Sequence, residues 1–525
     1  MNLKGFNGYY WLVLLALALY IPLVCFGGFG TSDDLSLVAH IGSSYLADLK
    51  YSLMRSGHIS RPIYGFVQTS SLHLFGSSYV LYNIFRLTLW GLVIYLSKLV
   101  FSKLIGNKAS LLFLFFLSLP IFASSQLFNG LQTGYILSII FYLLALNSIQ
   151  DNQGEFQREA YKSYFIWSLL ALLSCEIVFP LFLFPILQVW NKKGLSKENR
   201  TLFLTTILVF MILLVLKFFI GPIYQIGPDV YGFSFSLHSI LQGGYYFFAV
   251  FVEIPLLLLE VIPFFFSEPI LWLSFLAIPI VYWSKAKLTF EFDQKMLLNI
   301  GLTISSCCLI FVLSDYPAVT YGLYNKMLLP SHVFVALALS IFCAVLLRTR
   351  FYLVTYVIAI LWLASMQMQV VNTIRSWDTR LSVYREVVPV LSEIERNQDF
   401  VFVEVPYFLT SNYNNEPVFS LIHDFQGGLI LNNLNVDTGN IFPFTSNMIW
   451  DSNYWHTNNI LNVIDSRGID SLSCFHSKWC TSSVELMRHE KMNVASFLSS
   501  HNFHKQLECK RSVLRAWLSY KFIGK

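Results

Sequence analysis

Charge is what this chain has least of. Asp, Glu, Lys and Arg make up 12% of its 525 residues, where a soluble globular protein carries about 25%. That scarcity excludes an ordinary water-soluble domain. The net charge is only +5, with no basic stripe of the kind nucleic-acid binding needs, so nucleic acid is not an expected partner. There is no glycine-rich phosphate loop and no pattern of a nucleotide-sugar fold, which argues against a cytosolic nucleotide donor. No internal repeat or low-complexity segment is present. No small-x-small cleavage site stands before Asp33, so the first apolar run reads as a retained signal anchor.

Cysteine is also sparse, with eight in the chain. Cys25, Cys175, Cys307, Cys308 and Cys343 lie in apolar segments and read as packing residues. Cys474 and Cys480, in "SCFHSKWC", match no common zinc spacing. In an oxidising compartment they would close a small loop, with Cys509 as a competing partner; free thiols are the other reading.

What the chain has in abundance is grease. It is 55% hydrophobic and 17% aromatic, with 48 Phe, and its mean hydropathy is +0.59. Apolar runs of about 20 residues recur, enough to cross a bilayer of roughly 30 Å as helices. The expected fold class is a polytopic α-helical membrane protein with a small C-terminal α/β domain. Apolar runs and Lys/Arg bias suggest about eleven spans in residues 1–370. The second and third are expected at about 79–101 and 109–127, parted by a charged turn at Lys103 and Lys108. The run 163–190 has cytoplasmic-looking flanks on both sides, so it is expected to break near "SCEIVFP", putting Glu176 at an outer turn. The run 244–266 either crosses or lies at the interface with Glu253 and Glu260 facing water; the interfacial arrangement suits the flanking charges better. The tail, 371–525, differs in composition, with 14 Lys and Arg and 15 Asp and Glu. There "DFVFVEVP" and "GGLILNNL" read as strands and "SVELMRHEKMNVASFLSS" as a helix.

The candidate chemistry follows the first span. In "GFGTSDDLSLVAH", Asp33 and Asp34 stand side by side where the chain leaves the membrane. A solvated charge pair is the plain explanation. The sharper one is a catalytic base, because adjacent carboxylates at a low-dielectric surface resist joint ionisation and one becomes a better proton acceptor. The same outer segment, 30–77, supplies Arg55, His58, Arg61 and Tyr64. A base with nearby cations is what transfer from a phosphate-linked donor requires: the base takes the acceptor proton and the cations receive the leaving phosphate. Arg86, inside an apolar span, faces a polar cavity or an anion, or snorkels to a headgroup. Lys326 is a further phosphate candidate or an interface anchor. Glu176 and His332 complete the candidate vestibule, although a hydrogen-bonded histidine at a helix end is the plainer reading of His332. "WDSNYWHTNN" (450–459) has the aromatic and amide groups that hold sugars, and would suit a domain core equally. Two aspartates alone make a poor cation site without a third oxygen ligand, so no tightly bound metal is expected.

A first span, an outer Asp-Asp, an outer loop ending in the Arg-Pro step of "SRPIYG", many spans and a C-terminal domain together resemble the GT-C superfamily of membrane glycosyltransferases. Within it the layout is most similar to the bacterial serotype-converting O-antigen glucosyltransferases of the Gtr type. That resemblance implies an undecaprenyl-phosphate glucose donor, a lipid-linked O-antigen acceptor and inversion at the anomeric carbon. It implies a bacterial inner membrane location, with the site and the tail periplasmic. It makes Asp33 or Asp34 the base and sets Glu176 where many relatives carry Lys. Two rival classes are an O-antigen polymerase or ligase, whose main outer loop lies late and is Arg-rich, and a lipid-linked glycan transporter. The absence of matching broken halves speaks against the transporter.

Overall fold

The computed structural model describes residues 8–30, 34–42, 44–54, 59–128, 133–150, 158–194, 197–224, 236–285, 294–314, 316–320, 323–393, 400–404, 422–431, 441–444 and 472–476. The chain divides into two compact units. The first comprises Met1–Gly30, Ile41–Ile374 and Tyr413–Glu416; the second comprises Thr31–His40, Arg375–Asn412 and Pro417–Lys525.

Among the described residues of the chain, six helices are long and apolar enough to cross a membrane: Tyr79–Ile105, Arg200–Ile220, Leu237–Phe265, Gln294–Val312, Asn325–Leu346 and Tyr352–Pro389. Four shorter apolar helices accompany them, Leu12–Phe26, Gly134–Ile149, Glu176–Asn191 and Pro269–Ser284. Many of these helices expose large apolar side chains, such as Phe219, Phe251 and Leu353, as a surface solvated by lipid does.

Two stretches differ from their sequence patterns. Tyr79–Ser118 is one unbroken helix of 40 residues, with no turn at Lys103 or Lys108. Those charges mark an edge of hydrophobicity, but nothing between Ile105 and Ser110 denies the helix a hydrogen bond, since the segment has no proline. Leu237–Phe265 is helical almost throughout, opened by a reciprocal Ser236–Ser239 cap and carrying a π turn at Ala249–Glu253. It is long enough to cross, where the charge pattern favoured an interfacial position.

The first unit is organised around the place where the long helix stops. Pro120 has no N–H and ends the ladder, which leaves carbonyls near Ser118 without helical donors. Side chains from far along the chain take them over. Tyr20 Oη and Trp90 Nε1 donate to the Ser118 carbonyl, Trp362 Nε1 to Leu119 at 2.8 Å and Gln369 Nε2 to Ile121 at 2.6 Å. His332 Nε2 lies 3.0 Å from the Leu117 carbonyl. In a hydrocarbon surround every such group must be met internally, so these five residues fix how the helices assemble.

The expected interruption of 163–190 is present in the local structure. The helix Arg158–Ser174 ends, Cys175 is extended, and a 3-10 turn, Glu176–Phe182, leads into the helix Leu183–Lys193. Gly194, at a φ of +58°, closes that helix, a backbone conformation that a side chain would strain.

In the second unit, the short helix Asp34–Ala39 packs on the helix Ile422–Leu431. Tyr384 stacks on Phe425 at 5.6 Å, and the Arg380 guanidinium lies 4.9 Å over the Trp377 ring. Three parallel strands form a sheet with Phe400–Glu404 between Ile441–Phe444 and Leu472–His476. The first of these matches the expected strand. "GGLILNNL" does not: Gly427 to Leu431 belong to the helix Ile422–Leu431. A short apolar run has no period that separates strand from helix, and here packing against Asp34–Ala39 decides. The stretches 450–459 and 483–500, and Cys480 and Cys509, lie outside the described residues.

Candidate functional site

The site is built from residues 115 positions apart. Arg61 directly precedes Pro62, which opens the helix Pro62–Phe75 with its φ already set. Glu176 starts the 3-10 turn after the break at Cys175. The two meet fork to fork: Arg61 Nε lies 2.5 Å from Glu176 Oε2, and Nη2 lies 2.7 Å from Oε1. Both side chains are largely enclosed, at 4% and 18% exposure. Paired, two-pronged contacts of this kind are the strong ones among charged hydrogen bonds. Burial works against the Arg61 charge, but the Glu176 carboxylate more than offsets this and raises the guanidinium pKa well above its usual value.

A third charge completes the cluster. Lys217 Nζ lies 3.5 Å from Glu176 Oε1, with its side chain 12% exposed. It stands on a π turn, Leu216–Ile220, near the end of an apolar helix, a backbone irregularity frequent at functional sites. Lys217 has no place among the residues singled out above. Its signal in the sequence was a lone lysine in "LVLKFFIGP", the pattern that marks an intramembrane charge.

Arg61, Glu176 and Lys217 line a small cleft of about 60 Å³ with Ser314 and Tyr316. An apolar cavity of about 430 Å³ adjoins it and shares Phe179, Phe210 and Leu313 with it. Lys326 is close by: its Nζ lies 5.4 Å from the centre of the Tyr135 ring, and Tyr135 is itself within electrostatic range of Arg61. Tyr64 packs edge-on against Tyr135 at 6.4 Å and accepts a hydrogen bond from Gln68. Arg61, Tyr64, Glu176 and Lys326 thus share one neighbourhood.

Arg86 and His332 make other contacts. Arg86 is fully buried and donates Nη2 to Asn83 Oδ1 at 2.6 Å. Asn83 in turn donates to the Leu23 and Gly28 carbonyls, so this pair secures the end of the first helix. His332 is not a vestibule residue. It is sealed among Trp90, Phe122 and Trp362 and serves the Leu117 carbonyl; the aromatic residues around it and the broken helix at Pro120 draw it into the core. Asp34 begins a six-residue helix and is fully buried. Asp33, Arg55 and His58 lie outside the described residues. Among the described residues, no group of three His, Cys, Asp or Glu converges on a point where a metal could sit.

No family model matches the chain, and no curated protein matches it. Two solved structures resemble it over most of its length. The crystal structure of ArnT from Cupriavidus metallidurans bound to undecaprenyl phosphate covers 82% of this chain and 88% of that one, at 11% identity and a TM-score of 0.40. The apo state of the same protein covers 87% and 95%, at 13% identity and a TM-score of 0.42.

Proposed function

We propose that this chain is a membrane glycosyltransferase that moves a sugar from a polyprenyl phosphate to a glycan acceptor. The observation that carries the reading is the enclosed Arg61–Glu176–Lys217 cluster, two cations and one carboxylate, set in an apolar helical frame beside an apolar cavity. Charges at such a position are costly and usually serve function.

The reaction needs little else. The acceptor hydroxyl attacks the anomeric carbon, its C–O bond forms, and the bond from that carbon to the phosphate oxygen breaks. The hydroxyl proton passes to a carboxylate, Asp34 or Asp33. The electron pair leaves on the phosphate, where Arg61 and Lys217, with Lys326 nearby, stabilise the new negative charge. The cavity by Phe179 and Phe210 takes the first isoprene units of the carrier, at a volume typical of ligand sites. Undecaprenyl-phosphate glucose as donor, an O-antigen sugar as acceptor and the periplasmic face of a bacterial inner membrane are the specific form of this reading.

The test is release of undecaprenyl phosphate from undecaprenyl-phosphate glucose by purified protein in detergent, with a lipid-linked glycan present. Arg61→Ala is expected to cut the rate about a hundredfold, as loss of one charge-stabilising donor does. Unchanged release in Arg61→Ala, or acceptor-dependent release by no hexose donor tried, would contradict the proposal.

A further inference from the structure

Glu176 is an odd residue to find in a phosphate site, because its charge has the wrong sign. It occupies the Nε–Nη2 edge of the Arg61 guanidinium and lies at 3.5 Å from Lys217. A carboxylate and a phosphate oxygen pair present the same planar two-point acceptor to an arginine. The three line one cleft of about 60 Å³. A phosphate bound between Arg61 and Lys217 therefore competes with Glu176 for the same donors. The backbone on both sides suits a residue that changes position: Glu176 follows a helix break and Lys217 sits on a π turn.

From this we propose that Glu176 is an internal competitor for the phosphate and determines which phosphate the site keeps. The inference rests on the transferase reading. The donor is a phosphodiester with one negative charge. When the anomeric C–O bond breaks, the electron pair stays on phosphate and the product becomes a monoester, with a charge near −1.5 to −2 at pH 7. Two cations without Glu176 would hold that dianion more tightly than the donor and stall each cycle on product. Glu176 lowers the charge of the cluster by one and repels the dianion more than the monoanion. It is a specificity-determining residue: it returns to Arg61 as the monoester leaves.

Two probes separate these charges without a sugar: undecaprenyl phosphate and its methyl ester, a diester. Their affinities are measured for the full chain in detergent, with the parent and with Glu176→Gln, which keeps an acceptor oxygen and removes the charge. The expected result is tighter binding of both by Glu176→Gln, with the monoester gaining about tenfold more than the diester. Glu176→Asp, which keeps the charge but withdraws it by one methylene, is the second variant and should shift the ratio the same way by less. An unchanged or reversed monoester-to-diester ratio in both variants overturns the inference. If Arg61→Ala and Lys217→Ala still weaken both probes in that case, the phosphate site stands and only the role of Glu176 falls. If neither probe binds any of these proteins, the phosphate site falls and the inference with it.

Discussion

Removing Glu176 should destabilise the protein more than removing Arg61, because the three charges are not equivalent. In Glu176→Ala, Arg61 and Lys217 both lose the carboxylate they share. Breaking a buried pair this way costs about 3–5 kcal/mol, and the 18% exposure of Glu176 puts the value at the lower end, about 3 kcal/mol. In Arg61→Ala, the carboxylate is left with Lys217 at 3.5 Å, so its charge stays compensated. The loss is then one paired set of charged hydrogen bonds, about 1.5 kcal/mol. Lys217→Ala leaves the Arg61–Glu176 fork intact and should cost least. At roughly 2 °C per kcal/mol for a chain of a few hundred residues, the two larger losses are Tm falls of about 6 °C and about 3 °C. Thermal unfolding in detergent, followed by intrinsic fluorescence, reads both. An Arg61→Ala variant at least as unstable as Glu176→Ala would refute the reasoning, since it would mean that Lys217 does not shield the carboxylate.

Further consequences follow from other contacts. Gly134 has no room for a side chain: a Cβ there would lie 2.4 Å from the Tyr64 ring, so Gly134→Ala should cost about 1–3 kcal/mol, and shortening Tyr64 in the same chain should recover part of it. His332→Ala removes the partner of the Leu117 carbonyl and empties a space among three aromatic rings; loss of the bond and the cavity together should lower stability by about 2–4 kcal/mol in the same unfolding assay. Leu183→Trp, which narrows the apolar cavity at a residue that does not line the charged cleft, should weaken binding of undecaprenyl phosphate while leaving binding of inorganic phosphate unchanged.

The local features of the site were legible, and its assembly was not. An acid in an apolar run with a proline four residues on announced the break at Cys175 and singled out Glu176. Arg61 stood out through the Arg-Pro step. Nothing in a linear pattern pairs residues 61 and 176, because that pairing is made by tertiary packing of helices far apart in sequence. Lys217 was readable by the same rule that drew attention to Arg86, that a lone cation in an apolar span needs a reason. His332 carried two readings, a vestibule residue or, more plainly, a hydrogen-bonded histidine at a helix end; the need to satisfy a carbonyl beside Pro120 put it in the core. In the long helix Tyr79–Ser118, two lysines read as a turn, although a charge by itself denies the helix no backbone hydrogen bond. "GGLILNNL" failed for a different reason, since three apolar residues after two glycines fit strand and helix alike until a partner surface is present.

The account turns on whether this chain transfers a sugar from a polyprenyl phosphate with an aspartate as base. The direct measurement is the gain of one hexose by a lipid-linked O-antigen acceptor, read by mass, with purified protein and undecaprenyl-phosphate glucose. Asp33→Asn and Asp34→Asn are run beside the parent, each checked for retained folding. Transfer by the parent and its loss in one of the two asparagine variants is the predicted result. Transfer that survives in both variants, or its absence from the parent with every polyprenyl-phosphate hexose supplied, would contradict it.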